Sequence, residues 1–294
     1  MLKKLVILME IEYLPVIGEK HRTLLEVLKQ DLQKSGVLVK WDFVRALESF
    51  EDNRKDCLYI TDSPGNYDLL RRLGYNAAAL IHECNQAAVF HGNAYIMEGL
   101  ESLEYSYLNK VYQRLSGLPW DILETKYLKV RESTVEDVEE FYRIYREPSI
   151  TYYMENLFEE QEQEKAYMKN YIQQIYNFYG YGLWTVLLKE TGRVIGRAGL
   201  SVREGYALPE LGFVIEVAQQ RKGYAYEVCA AILEYAKDEL EFEGVQALVK
   251  AENRASVGLL IKLGFRYRRN VSENNTDYQL YEKVFFPKTL ITAY

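Results

Sequence analysis

The sequence predicts two domains, a Rossmann-like α/β module on a parallel sheet followed by an α+β domain, and three observations carry that expectation. The chain has 294 residues, 48% of them hydrophobic, enough to fill two ordinary cores. Over residues 1–118 short apolar runs alternate with helical patterns, the signature of a parallel sheet covered by helices. Ser116-Gly117-Leu118-Pro119-Trp120 then breaks the pattern. The expected division is 1–118, a linker at 119–124, and a second domain over 125–294.

Each element of the first domain has its own signal. Leu5 to Ile11 reads as a strand, Glu19 to Lys34 as a helix and Val37 to Phe43 as a strand. Cys57 to Thr61 is a strand ending in Asp62-Ser63-Pro64-Gly65, where Asp62 is expected to cap the helix that follows. That helix runs through Leu73, with Gly74 as its stop, and leads to a strand at Ala77 to Ile81. Tyr105 to Leu115 is an amphipathic helix.

In the second domain the order is strand Tyr127 to Arg131, helix Val135 to Tyr145 and helix Gln161 to Tyr176. Leu183 to Leu188 and Val194 to Val202 form a hairpin around Glu190-Thr191-Gly192. Strand Leu211 to Val217, helix Gly223 to Glu241, strand Val245 to Lys250 and helix Ala255 to Leu263 follow. Phe265 to Arg269 and Tyr278 to Val284 close the domain, with Ser272-Glu273-Asn274-Asn275 as the loop between them. The acidic run Glu159 to Glu164 reads as a solvated helix start, where negative charge complements the helix dipole.

The most informative stretch is Glu210 to Ala225, a strand pattern that ends in Gln220-Arg221-Lys222-Gly223-Tyr224-Ala225 and opens a helix. Gly223 and the small Ala225 let backbone approach a pyrophosphate, and the free N–H groups of a helix start face the anion. Arg221 and Lys222 add positive charge. After the next strand comes Asn253-Arg254-Ala255-Ser256, leading to Lys262-Leu263-Gly264-Phe265. Together these segments resemble the GNAT (Gcn5-related N-acetyltransferase) superfamily, in the branch that contains the ribosomal-protein N-terminal acetyltransferases. The resemblance covers residues 124–286 and implies an α+β fold with a mixed, mostly antiparallel central sheet flanked by helices.

The same resemblance implies acetyl-CoA as donor and direct transfer to a primary amine, on a small molecule or a protein N-terminus. Its pyrophosphate would lie on Gln220, Arg221, Lys222, Gly223, Tyr224 and Ala225, and its pantetheine along Phe213, Val214, Ile215 and Val217, with Asn253 and Ser256 beside it. Glu210 starts the strand that leads to the turn and is the candidate general base, ahead of Glu216; otherwise it is a solvent-facing strand-end carboxylate. A strand splayed from its neighbour supplies a free N–H between Phe213 and Ile215 to polarise the thioester carbonyl. Many relatives carry a tyrosine four residues before the glycine of the Gly-Phe pair, and here that position is Leu260. Ser256 is the candidate leaving-group acid in its place, or else a helix cap. Tyr152, Tyr153, Tyr181 and Trp184 belong to aromatic clusters at the border of the expected acceptor channel, where aromatic walls suit an amine on an apolar stem; any one of them taken singly reads first as aromatic core between helix and sheet.

Tyr59 to Leu80 resembles the fourth-motif region of haloacid dehalogenase-type (HAD) hydrolases, in which an acidic turn precedes a helix. That family places an aspartate nucleophile in a D-x-D pattern after its first strand. This chain has Met9-Glu10-Ile11-Glu12-Tyr13 there, so the first domain reads as a degenerate, non-catalytic HAD-like module.

The net charge of −7 argues against nucleic acid as the general partner. No stretch approaches the ~20 apolar residues of a membrane span, and Met1 to Lys4 runs into a strand, so a cytoplasmic monomer or homodimer is expected. Cys57, Cys84 and Cys229 fit neither a disulfide framework nor a zinc motif, and His82, Cys84 and His91 lack a second ligand pair, so no metal is expected. A non-catalytic acyl-CoA sensor or scaffold is the alternative function, motivated by Leu260 and the missing aspartates.

Overall fold

The structure is a computed structural model that describes residues 1–44, 56–92, 95–101, 103–154, 156–273 and 275–285. The chain divides into two units, Met1–Trp120 and Asp121–Tyr294.

In the first unit the apolar runs become β1 (Lys4–Glu10), β2 (Leu38–Val44), β3 (Cys57–Thr61), β4 (Asn76–Ile81) and β5 (Ile96–Glu98). They pair entirely in parallel, in the order β2-β1-β3-β4-β5. Helices α1 (Leu14–Lys34) and α3 (Tyr105–Leu115) share one hydrophobic cluster with the sheet, whereas α2 (Pro64–Arg72) packs in another with Tyr59 and Ala77. Covered on both sides, β1, β3 and β4 are buried nearly throughout, as parallel strands require. Pro15 sits in the first turn of α1, where a fixed φ and a missing N–H cost nothing, so that helix starts earlier than its apolar period suggests. The three-residue β5 is too short to show a period. The architecture is a parallel α/β sheet, and nothing in it singles out the haloacid dehalogenases.

Asp62 does not cap α2. The cap is Ser63, one residue before Pro64, whose side chain accepts the Asn66 N–H. Asp62 is fully buried, accepts the Glu10 N–H at 2.8 Å and pairs with His82 Nε2 at 3.0 Å. The Cys84 N–H donates to His82 Nδ1, which leaves Nε2 to carry the proton given to Asp62. His91 pairs separately with Asp68, and among the described residues no group of three or more His, Cys, Asp or Glu could hold a metal ion.

The second unit opens with β6 (Asp121–Glu124), a strand within the stretch expected as linker. It continues through β7 (Leu128–Arg131), a 3₁₀ turn, α4 (Val138–Tyr145), α5 (Pro148–Thr151), α6 (Gln161–Tyr171), a π-helical turn at Ile172–Tyr176 and α7 (Asn177–Tyr179). Then come β8 (Leu183–Leu188), β9 (Val194–Ser201), β10 (Glu210–Ile215), α8 (Tyr224–Asp238), β11 (Gly244–Val249), α9 (Arg254–Lys262), β12 (Arg266–Glu273) and β13 (Thr276–Val284). Of the predicted loop Ser272 to Asn275, Ser272 and Glu273 belong to β12, and Asn274 lies outside the described residues. Glu164, expected in solvent, is buried because its carboxylate accepts the Phe158 N–H.

The eight strands run β12-β13-β11-β10-β9-β8-β7-β6, and every pair but β10–β11 is antiparallel. Helix α8 packs with Trp184, Ile195 and Val245 in one cluster; α4 and Met168 of α6 pack with Val194 and Val214 in another. The mixed sheet is thus covered by helices, and its one parallel junction, β10–β11, begins at the candidate base Glu210.

Candidate active site

Antiparallel pairing holds β10 to β9 from Glu210↔Ser201 to Ile215↔Gly196. On its other side β10 has a single register pair, Glu210↔Gln246, while the opposite edge of β11 pairs with β13 from Gly244↔Val284 to Val249↔Gln279. The two strands therefore part at Glu210. Alternate residues of an antiparallel strand turn their backbone groups to opposite sides. The Glu216 N–H donates to Ile195 O on the β9 side, so Phe213 and Ile215 turn theirs into the gap. Val214 does not: its carbonyl faces Gly196 and its side chain is buried, which removes it from the expected pantetheine contacts. The Ile215 carbonyl is also occupied, accepting the Gln220 side-chain amide at 2.9 Å.

The open end of the gap meets the turn. Val217–Gln219 forms one 3₁₀ turn, Arg221 takes φ +60° and Gly223 takes φ +90°, after which α8 begins. An added Cβ on Gly223 would meet nothing within 4 Å, so this glycine is required by its left-handed backbone rather than by crowding. No side chain caps α8. Its first intrahelical bond is from the Glu227 N–H to Gly223 O, which leaves the N–H groups of the first turn for an anion. Arg221 and Lys222 are exposed beside it, with Lys222 Nζ 2.8 Å from Gln219 Oε1. Gln220 acts as a staple of the turn through Ile215, a different use from the expected phosphate contact.

Glu210 stands where the strands part, its side chain only 15% exposed. Arg203, on the loop before β10, donates from Nη1 to Glu210 Oε2 at 2.7 Å and also pairs with Glu273 at the end of β12, from Nε at 3.0 Å. Burial raises the Glu210 carboxyl above its ordinary pKa; Arg203 and the Leu248 N–H of β11 pull it down. Arg203 and Glu273 were not identified from sequence. A hairpin-like connection between β9 and β10 is the one signal for Arg203, while Glu273 reaches the site only through the topology.

Glu216 is buried in an ion cluster with Arg143 and, at 2.9 Å, Arg193, and those partners tie it to α4 and the β8–β9 turn. Asn253, not Ser256, caps α9: its Oδ1 accepts the Ser256 N–H. Ser256 is half-buried in the first turn of that helix. Leu260 lies in the core.

The four aromatics expected around the acceptor are not brought together. Tyr153 Oη approaches Glu252 O at 3.4 Å and Lys250 Nζ approaches Tyr152 O at 3.4 Å, so both tyrosines adjoin the end of β11 and the Asn253 cap. Tyr181 packs edge-on against Phe242, beyond the C-terminal end of α8. Trp184 is fully buried and meets Tyr235 edge-on, so it is core and presents no surface to an acceptor. Sequence reasoning also missed the π-helical turn, which places Tyr171 Oη on the Leu183 N–H and Tyr176 Oη on the Ser133 N–H.

A splayed strand pair thus carries a carboxylate at its vertex and an uncapped helix start at its mouth, an arrangement that suits an anionic ligand. Residues 128–266 match the family model described as the acetyltransferase (GNAT) domain, and this unit is a GNAT N-acetyltransferase, of a family that uses an acyl-CoA donor. It is similar to two proteins of Bacillus subtilis strain 168: the uncharacterized YkkB, 26% identical over 160 residues, and the uncharacterized N-acetyltransferase YoaA, 28% identical over 164 residues. Each comparison spans 53% of this chain and 92% of the relative. A solved structure from Bordetella pertussis assigned to the GNAT family shares the fold at TM-score 0.50 and 22% identity, over 56% of this chain and all of that one. So does a Salmonella typhimurium acetyl transferase described as modifying the N-terminal serine of 50S ribosomal subunit protein L7/L12, at TM-score 0.50 and 11% identity, over 57% of this chain and 100% of that one. Among the described residues no helix is long and apolar enough to cross a membrane.

Proposed function

We propose that the second unit transfers acetyl from acetyl-CoA directly to a primary amine in a ternary complex. The observation that carries the proposal is the single Glu210↔Gln246 pair, beyond which β10 offers a free edge leading to the uncapped start of α8. A pantetheine amide chain suits such an edge, as an added strand does. The turn suits a pyrophosphate, since Gly223 and the first-turn N–H groups form a concave donor surface.

Glu210, acting through a water, takes a proton from the acceptor ammonium, and the neutral nitrogen then attacks the thioester carbon. The N–H groups of Phe213 and Ile215 face the gap and stabilise the negative charge that develops on the carbonyl oxygen. The C–N bond forms in that attack, the C–S bond breaks as the adduct collapses, and the departing sulfur takes a proton from solvent, directly or relayed by the Ser256 hydroxyl, which regains one from water, since Leu260 has none to give. A covalent acyl-enzyme finds no support: Cys229, the one cysteine of this unit, is buried and its thiol is pushed upward by burial. The described acceptor of the Salmonella neighbour makes peptide N-termini the first acceptors to test, with small amines beside them. Steady-state rates with both substrates varied should give intersecting reciprocal plots; parallel lines would indicate ping-pong transfer and contradict the proposal.

A further inference from the structure

We propose that Arg203 is a positioning residue that holds Glu210 ionised and aimed at the point where β10 and β11 part. The inference rests on the reading of Glu210 as general base and adds what keeps that base usable. A carboxylate so little exposed would normally be neutral, and a neutral carboxyl accepts no proton from an amine. Here the guanidinium meets Glu210 Oε2 at 2.7 Å, while the Leu248 N–H reaches the same carboxylate from β11.

Arg203 is itself held. Its other edge pairs with Glu273, and its guanidinium lies 5.9 Å from the centre of the Tyr278 ring on β13. Tyr206, on the same loop, bonds Glu273. The charged groups that act on Glu210 are therefore Arg203 from the loop and Glu273 from β12, with opposite signs. Since one cation serves two carboxylates, removing Glu273 enlarges the share left for Glu210. The loop can hold this geometry because Arg203 O accepts the Tyr206 N–H across a turn at Gly205, which has φ +83°. A bidentate fork between two carboxylates is a geometry lysine reproduces poorly.

The test uses the full chain labelled with carboxyl-¹³C glutamate, the Glu210 signal being assigned by its loss in Glu210→Gln. In Arg203→Met the titration midpoint of that signal should rise by about one pH unit or more, with Arg203→Lys restoring it in part. An unchanged midpoint in Arg203→Met overturns the inference. Glu273→Gln provides an arm of opposite sign at a more exposed residue: freeing Arg203 for Glu210 should lower the midpoint by on the order of half a unit. A midpoint that stays or rises there also overturns the inference. Thiol release from acetyl-CoA with a serine-initiated peptide, compared between wild type and Glu210→Gln, decides the underlying reading separately. Equal rates would remove Glu210 as base without altering what the carboxyl titration says of Arg203.

Discussion

A carboxylate at the foot of a cleft loses most of its water, and Glu210 carries the consequence, with burial pushing its carboxyl upward and Arg203 opposing the push. A base works only when ionised, so the sign of the pH dependence follows. The rate should fall as pH falls through the Glu210 pKa, which lies above the ordinary glutamate value of about 4.3. Glu210→Gln should bind acetyl-CoA as wild type does and transfer acetyl ~10²–10⁴-fold more slowly. The deficit should narrow toward the amine's own pKa, where more acceptor is neutral unaided. Turnover equal to wild type across that range would move the base to bulk water, because Glu216 is committed to Arg143 and Arg193. At this scale the sequence marked the places of Glu210 and Gly223, a strand end and a turn before a helix. It did not mark Arg203 or Glu273, since a bond across 70 residues leaves no local pattern. Trp184 was misplaced because aromatic clusters read alike whether they wall a channel or fill a core.

Among the elements, β9 explains how the sheet stays closed on one side of β10 while it opens on the other. A Cβ built on Gly199 would stand 2.0 Å from Gly182 O, and one on Gly196 2.1 Å from Val214 O. Both obstacles are backbone, which has little room to give. Gly199→Ala should therefore destabilise the protein by about 1–3 kcal/mol, read as a lower urea midpoint with an unchanged slope. An unaltered midpoint would show that the β8–β9 approach is slack. The periodic elements were legible in sequence, as α8 shows from its apolar spacing and α3 from its amphipathic stripe. Those that escaped were β5, β6, α5 and α7, each four residues or fewer, and the π-helical turn inside what reads as one helix. Segments of so few residues span at most one helical turn or two strand repeats, so no period announces them.

For the whole molecule, the division into Met1–Trp120 and Asp121–Tyr294 separates a parallel α/β unit from the acetyltransferase unit. In the first, Asp62 and His82 pair in the interior, and Glu10 ends β1. In the second, the central claim is that the splayed β10–β11 junction and the Gly223 turn serve turnover and not mere occupancy. Release of free thiol from acetyl-CoA, followed over a panel of peptide N-termini and small primary amines, tests this most directly. The account predicts acceptor-dependent release by the wild-type protein and none by Gly223→Val, whose β-branched side chain cannot take φ +90° without strain. Calorimetric binding of acetyl-CoA with no acceptor-dependent release anywhere on the panel would contradict the account and leave a sensor of acyl-CoA in its place.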